Sequence, residues 1–442
     1  MTTISTLFSL LTLLATSNVH AATKDEWRSR SIYQPLTDRF APPTENAPCN
    51  VNDRVYCGGT YQTIISKLDY IQGMGFDAIW ISPVGLNLEG DTEYGYAYHG
   101  FWGTDPTKLN PHFGSADDLT ALSSAVHSRG MYLMLDLALN DLVSESTTIT
   151  DAQLQADANG TLLFKSESNY HLPCNIDWGN HTSEQTCWLS TSGVPLMDLA
   201  TETDAVANVF TEWIPGFVSQ YNIDGFRLDA AKHMDKTFVN KFCTAAGVFC
   251  MGEVAGDNTQ YAATYQGDGG IDSVLGFGMM YGLVAAFTGS SPDMSKLPYY
   301  INLAASSYPD PTVIGTFLDN QDLPRFNSLT GDKSLVYNAV VAAFMYGGIP
   351  AIYYGTEQDI SDGSADPNNR EPLWQYNDYS TTATQTYGRI ATLNKIRSAL
   401  ATTGNFTSSV ASIVASQSQD IALSRGGALI VLTNVIFSLK FD

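Results

Sequence analysis

Basic side chains are scarce in this sequence. Its 442 residues hold 22 Lys and Arg against 45 Asp and Glu, a formal net charge of −23. A nucleic-acid ligand needs stripes of Lys and Arg to meet its phosphates, so the balance argues against that class of partner and suits a neutral substrate. Long apolar runs are missing as well. Beyond the N-terminal segment nothing approaches the roughly 18 uninterrupted apolar residues of a membrane-crossing helix. Cysteine is sparse, and none of the six stands in a CxxC spacing, which argues against a cysteine-built metal site. Charged residues make up only 15% of the chain and hydrophobic ones 44%. A chain of this length and composition can bury a large core and divide into more than one domain.

The first 22 residues read as an export signal. "ISTLFSLLTLLATS" is an apolar core too short to span a bilayer, and "VHAA" supplies small residues for cleavage. The mature chain is therefore expected to be secreted, with association to a cell wall as its other possible destination. Three sequons, at Asn159, Asn180 and Asn405, agree with that route. So do the cysteines: Cys49 with Cys57, and Cys174 with Cys187, each bracket a short polar loop, as local disulfide staples do. Cys243 and Cys250 stay open at this point. Cys250 lies in the apolar run "VFCMGEV", a setting in which a buried free thiol is the commoner outcome.

Short apolar runs rich in β-formers recur at 31–36, 76–84, 131–139, 223–229, 248–254, 313–319 and 349–355, with a weaker one near "SVLGF". Between them lie amphipathic segments such as "SADDLTALSSAVHSRG", apolar at helical spacing and closed by Gly. Apolar strands alternating with helices imply a parallel sheet covered on both faces. Eight of them favour a (β/α)8 TIM barrel, an α/β fold, over a doubly wound sheet. The polar stretch 140–199 interrupts the rhythm after the third strand and reads as an inserted rim domain. The barrel would then occupy 23–139 and 200–403. From 404 the pattern turns to consecutive strands, an antiparallel β module that is only partial at about forty residues.

Acids at the ends of strands are the informative feature, because barrel active sites form at the strands' C-terminal face. Asp136, Asp229, Glu253 and Asp322 each end or follow a different apolar run. Any one of them alone reads as a helix cap or a rim ion pair; four converging on one rim are hard to explain by folding. Glycoside hydrolysis with retention needs such a set: a nucleophilic carboxylate beside a carboxylic acid that protonates the leaving oxygen. Arg227 lies two residues before Asp229, so on a strand both point to one face, and a cation there would keep the nucleophile ionised.

In order, "DLALND" (136–141), "GFRLDAAKH" (225–233), "GEVAGD" (252–257) and "FLDNQD" (317–322) resemble the motif regions of the fungal secreted α-amylases, glycoside hydrolases of family 13. "YCGGTYQTIISKLDYIQGMGFDAIWISPV" and "ADDLTALSSAVHSRGMYLM" resemble the same family, and the likeness covers roughly residues 27–400. It implies Asp229 as nucleophile, Glu253 as general acid/base and Asp322 as stabiliser of the transition state, with Arg227 orienting Asp229. It also implies Tyr98, His99 and Trp102 at the cleft, Lys232 and His233 at neighbouring sugars, Gln321 beside the cleavage point, and Asp366 with Arg370 on the donor-side wall. A calcium ion would be held by Asn140, Asp198, the His233 carbonyl and Gln185, with Glu184 as the other candidate for the last place.

Two positions depart from the family pattern. It carries His after the Asn of the first motif and before the last Asp of the fourth, where this sequence has Asp141 and Gln321. The resemblance then implies endo-hydrolysis of α-1,4-glucan by a monomer. A histidine-poor subgroup of wall-associated fungal relatives suggests 4-α-glucanotransfer instead. A weakly active glucan-binding regulator is a third reading, against which the complete set of acids argues.

Overall fold

The structure is a computed structural model in which residues 22–435 are described. Residues 1–21 of the expected export signal and the stretch 436–442 lie outside the described residues. Eight strands form the centre: β1 (Ile32–Gln34), β2 (Ala78–Ile81), β3 (Tyr132–Ala138), β4 (Gly225–Asp229), β5 (Phe249–Gly252), β6 (Ser273–Val274), β7 (Gly315–Thr316) and β8 (Ile349–Tyr353). They pair in the order β6-β5-β4-β3-β2-β1-β8-β7, every pair parallel. A parallel bridge between Leu275 and Gly315 joins the two ends into a ring. The expected TIM barrel is what the chain builds.

Helices pack outside because their apolar stripes face the sheet. Ala116–His127 shows how: Ser115 and Asp118 close a capping box at its start, and Leu119, Leu122 and Val126 are buried on one side. Inside the ring, alternate strand residues point to the axis. Ile32, Ala78, Trp80, Met134, Met251 and Ile349 pack there as a cluster of their own. Space is tight enough to require Gly315, where a Cβ would sit 2.5 Å from Met251 Sδ. The inward row that carries Met134 carries Asp136 two residues later, and the row of Gly225 carries Arg227 and Asp229. That is how charged groups arrive at the C-terminal rim.

Three additions decorate the barrel. After β2 an antiparallel hairpin, Gly85–Asn87 with Gly103–Leu109, rises over the rim. Its register shifts twice, so its strands lack the regular alternation that marks a strand in sequence. After β3, Asp141–Val143 pairs antiparallel with Leu196–Asp198, around short helices that include His181–Thr186. At the C-terminal end Ser412–Ser416, Asp420–Arg425 and Ala428–Thr433 form a three-stranded antiparallel sheet. No helix among the described residues is long and apolar enough to cross a membrane.

All six cysteines pair, which settles the open case of Cys243 and Cys250 against the free thiol. Cys243 lies in the last turn of the helix Lys236–Ala246 and Cys250 lies in β5, so the short turn between these elements brings their Cα atoms to 6.1 Å, within the span a disulfide closes. The apolar surroundings are as expected; the partner was hidden by a change of element.

Candidate active site

Arg227 is the hub of the rim. The β3–β4 register sets it opposite Asp136, and Asp229 opposite Ala138. Its buried guanidinium places Nη1 at 2.9 Å from Asp136 and 2.6 Å from Asp229, and Nη2 at 2.9 Å from Glu253. Glu253 follows β5, and its Oε2 also accepts the backbone N–H of Ala230 at 3.0 Å. Ala230 holds φ +48°, left-handed backbone that a residue with a Cβ rarely adopts. This sharp turn after Asp229 directs the Ala230 N–H at Glu253. Trp80 donates to Asp136 at 3.0 Å. Asp229 and Glu253 thus meet the two terminal nitrogens of one guanidinium.

One guanidinium faces too many acids to neutralise them. Burial pushes Asp136 up to about 6, against the pull of Arg227. Burial also pushes Asp229 well above the usual carboxylate range, with Glu253, Asp136 and Asp322 adding to it and Arg227 opposing. Arg227 thus pulls Asp229 toward its ionised form, as the spacing leads one to expect, while burial and the neighbouring acids pull the other way.

A cavity of about 340 Å3 opens over the hub, lined by Asp229, Asp322, Tyr98, Trp102, Asp366 and Arg370 among others. Asp141 and His99 reach its wall as well. Arg370 pairs with Asp366 at 3.0 Å and lies 3.4 Å from Asp322. Tyr98 donates to Asp366 at 3.3 Å while the Arg39 guanidinium covers its ring at 3.8 Å. His99 is buried edge-on to Trp102.

Gln321 does not line this cavity. Its Oε1 accepts from Gln34 Nε2 at 2.9 Å, its Nε2 donates to Asp322 at 2.8 Å, and its carbonyl accepts from Asn369 and Arg370. The side chain expected beside the sugar instead holds Asp322, because a second amide, Gln34, takes up its acceptor.

Lys232 and His233 stand apart from that cavity too. Lys232 lines a second one, of about 350 Å3, with Trp178, His181, Glu184, Asp257 and Tyr261. Its backbone N–H donates to the Glu253 carbonyl at 3.1 Å, so this cavity begins where the hub ends. His233 Nδ1 donates to the Glu184 carbonyl at 2.7 Å. Sequence reasoning missed Trp178 and the carboxylate of Glu184 in this wall. The available signal was a lone Trp in the polar loop "NIDWGNHTSEQTC".

Asn140 and Asp198 meet where the inserted strands start and end, with Asp141 paired opposite Asp198. Both side chains are buried, and neither Asn140 Oδ1 nor Asp198 Oδ1 receives a hydrogen bond among the described residues. Such orphaned oxygens are costly unless a cation or proton meets them. Burial pushes Asp198 up to about 7, with His171 opposing and Asp141 adding. Gln185 turns its amide nitrogen to the Met234 carbonyl, 2.9 Å away and one residue beyond His233. Glu184 is engaged elsewhere, by Lys232, His181 and the Gly179 N–H, which takes it out of this group. An oxygen set of amide, carboxylate and carbonyl fits a hard divalent cation such as calcium. Among the described residues no cluster of three or more His, Cys, Asp or Glu suits a metal ion.

The family described as "Alpha amylase, catalytic domain" matches residues 34–398. Alpha-amylase 1 of Lipomyces kononenkoae is 43% identical over 398 residues, 89% of this chain and 62% of the relative. The alpha-amylase of Saccharomycopsis fibuligera is 41% identical over 417 residues, covering 93% of this chain and 82% of the relative. Among solved structures, an alpha-amylase from Malbranchea cinnamomea superimposes with a TM-score of 0.87 at 43% identity, covering 93% of this chain and 86% of the other.

Proposed function

The chain belongs to the alpha-amylase family of glycoside hydrolases, and from that premise we propose that it cleaves α-1,4-linked glucan within the chain, with retention. The observation that carries this reading is the Arg227 hub, which joins Asp229 and Glu253 beneath the cavity while Asp322 stands on its wall.

Glu253 gives its proton to the leaving glycosidic oxygen as an Asp229 oxygen bonds to the sugar's anomeric carbon, forming a glycosyl ester. Water then attacks that carbon, Glu253 takes the water's proton, and Asp229 leaves as a carboxylate. Arg227 orients both acids. Asp322, steadied by Gln321 and Arg370, binds hydroxyls of the distorted sugar. Tyr98, His99, Trp102, Asp366 and Arg370 form the donor wall; Lys232 and His233 serve the sugars on the leaving side. Calcium would be held by Asn140, Asp198, Gln185 and the His233 carbonyl, where its charge supplies a cross-link between the insertion and the barrel rather than chemistry. The enzyme is taken to work as an exported monomer, with residues 140–199 as the inserted domain.

A second reading, 4-α-glucanotransfer, is favoured by the built wall around Lys232 and by Asp141 and Gln321 in place of two histidines. In it a sugar hydroxyl replaces water in the second step. Product analysis on maltoheptaose decides. Shorter sugars alone support hydrolysis, and a ladder above seven units moves the balance to transfer. No turnover at high enzyme concentration would overturn both.

A further inference from the structure

Glu184 is an acid in an unexpected place. Its residue is 1% exposed, yet the carboxylate faces a cavity rather than the core. Oε1 meets the Lys232 ammonium at 2.8 Å and the Gly179 N–H at 3.1 Å. Oε2 meets His181 Nδ1 at 2.9 Å, and the residue's own carbonyl accepts from His233. The His181 ring is itself stacked on Tyr261 at 3.6 Å. Every polar atom of the side chain is thus aimed at a group on the leaving-side wall.

Two neighbours show what this arrangement serves. Trp178 leaves 66% of its surface exposed at the cavity's edge, with Lys232 Nζ 5.6 Å from the ring. A flat apolar face beside a fixed cation with free N–H groups is the pattern that binds a sugar ring and its hydroxyls. A free lysine would lose rotamer freedom on taking up that pose. Held by a buried carboxylate it is already ordered, so less is lost when a ligand arrives.

We propose that Glu184 is the positioning residue of the acceptor side: it fixes Lys232 beside Trp178, and thereby sets how firmly an α-glucan chain is held beyond the cleavage point and how often that chain, rather than water, takes the glycosyl group. This rests on the retaining glucan chemistry proposed above. In the step concerned, the acceptor's hydroxyl oxygen bonds to the anomeric carbon, the Asp229 ester bond breaks, and the hydroxyl proton passes to Glu253.

The test compares maltoheptaose, which needs the acceptor side, with α-maltotriosyl fluoride, whose fluoride leaves without filling a sugar site. Glu184→Gln keeps the shape and an oxygen facing Lys232; Glu184→Ala keeps neither. The expected result is a fall in kcat/KM on maltoheptaose that exceeds the fall on the fluoride by roughly tenfold in E184A and less in E184Q, with fewer products above the starting length. Lys232→Met should reproduce this, and adding E184A to it should deepen the loss little. Equal losses on both substrates, or a lower melting temperature with the ratio unmoved, would overturn the inference while leaving the glucan reading intact. Should E184A not fold, E184Q and K232M carry the same comparison. A wild-type enzyme inert on both substrates removes the reading and the inference together.

Discussion

Two sets of buried acids share this rim and are held in opposite ways. Asp136, Asp229 and Glu253 surround one guanidinium, each within 2.9 Å of it. Asp141 and Asp198 sit opposite each other with Asn140 alongside and no Lys or Arg in contact among the described residues; the nearest cationic group is His171, 2.6 Å from Asp198. β3 feeds both sets, sending Asp136 inward and delivering Asn140 and Asp141 just past its end. The first set brings its counter-charge within the chain, so its geometry is fixed by protein groups alone. The second leaves two oxygens without donors among the described residues, the feature on which the proposed calcium site rests. A family motif records the acids of both sets alike; the presence or absence of the buried Arg is what separates the proposed reaction centre from the proposed ion site.

The sharpest way to break that division is to exchange the roles' defining groups. Asp229→Asn keeps the shape of the first set and removes the proposed nucleophile. Turnover of maltoheptaose should fall by roughly 10^4-fold or more, with the fold retained by circular dichroism. Activity above a few per cent of wild type would take the nucleophile's role from Asp229. In the second set, chelation should lower the unfolding free energy by about 2.7 kcal/mol relative to calcium at one hundred times its dissociation constant. Asp198→Asn should shrink that difference, whereas Asp229→Asn should leave it standing. A melting temperature indifferent to calcium would remove the cation from the account of the orphaned oxygens.

How much of this could be read from sequence follows the same line. The barrel was legible because eight apolar runs and their helices obey local periodicity, and the acids were legible because they stand at the ends of those runs. The hairpin Gly85–Asn87/Gly103–Leu109 was not, since its pairing is irregular and each strand opens on a glycine. Nor was the Cys243–Cys250 link, which crosses from helix to strand. Side-chain direction was the larger loss. Gln321 resembles a cleft residue in its motif, and only the fold reveals Gln34, 287 positions earlier, bonded to it. Glu184 looked like a spare calcium ligand until Lys232 was seen beside it.

Asp319 offers an intermediate case, a buried acid with an arginine near but engaged. Arg325 directs its Nε to Glu371 at 2.7 Å, leaving Asp319 the Phe326 N–H at 2.7 Å. Burial pushes Asp319 up to about 6, with Arg325 pulling the other way. The folded state therefore holds a proton that the unfolded chain releases near pH 4. Stability from this group is fully present below that pH and is lost as pH rises through about 6. Asp319→Asn removes the titration, so the wild type's stability relative to the variant should fall by about 3 kcal/mol between pH 4 and 7. Denaturant midpoints at three pH values measure it. A constant difference would mean that Arg325 does neutralise Asp319, which would place it with the first set.

The smallest expected effect bears on the boundary between the two sets. Asp141 belongs to the ion-site group by its pairing and to the cleft by its position on the cavity wall. Burial pushes it up to about 7, with Asn140 opposing. Asp141→His with Gln321→His restores the two imidazoles that the family resemblance implies. An imidazole at 321 can still donate to Asp322, and one at 141 offers the bound sugar a ring N–H. One recovered hydrogen bond to a charged transition state amounts to roughly a tenfold gain in hydrolysis, read as new reducing ends per minute. The same change removes a negative charge facing Asp198, so calcium affinity should weaken as hydrolysis improves. Faster hydrolysis with unchanged calcium binding would show that Asp141 belongs to the cleft alone. No gain in hydrolysis would mean that the missing histidines do not limit this enzyme, and that Gln34, Gln321 and Asp322 already form a competent replacement.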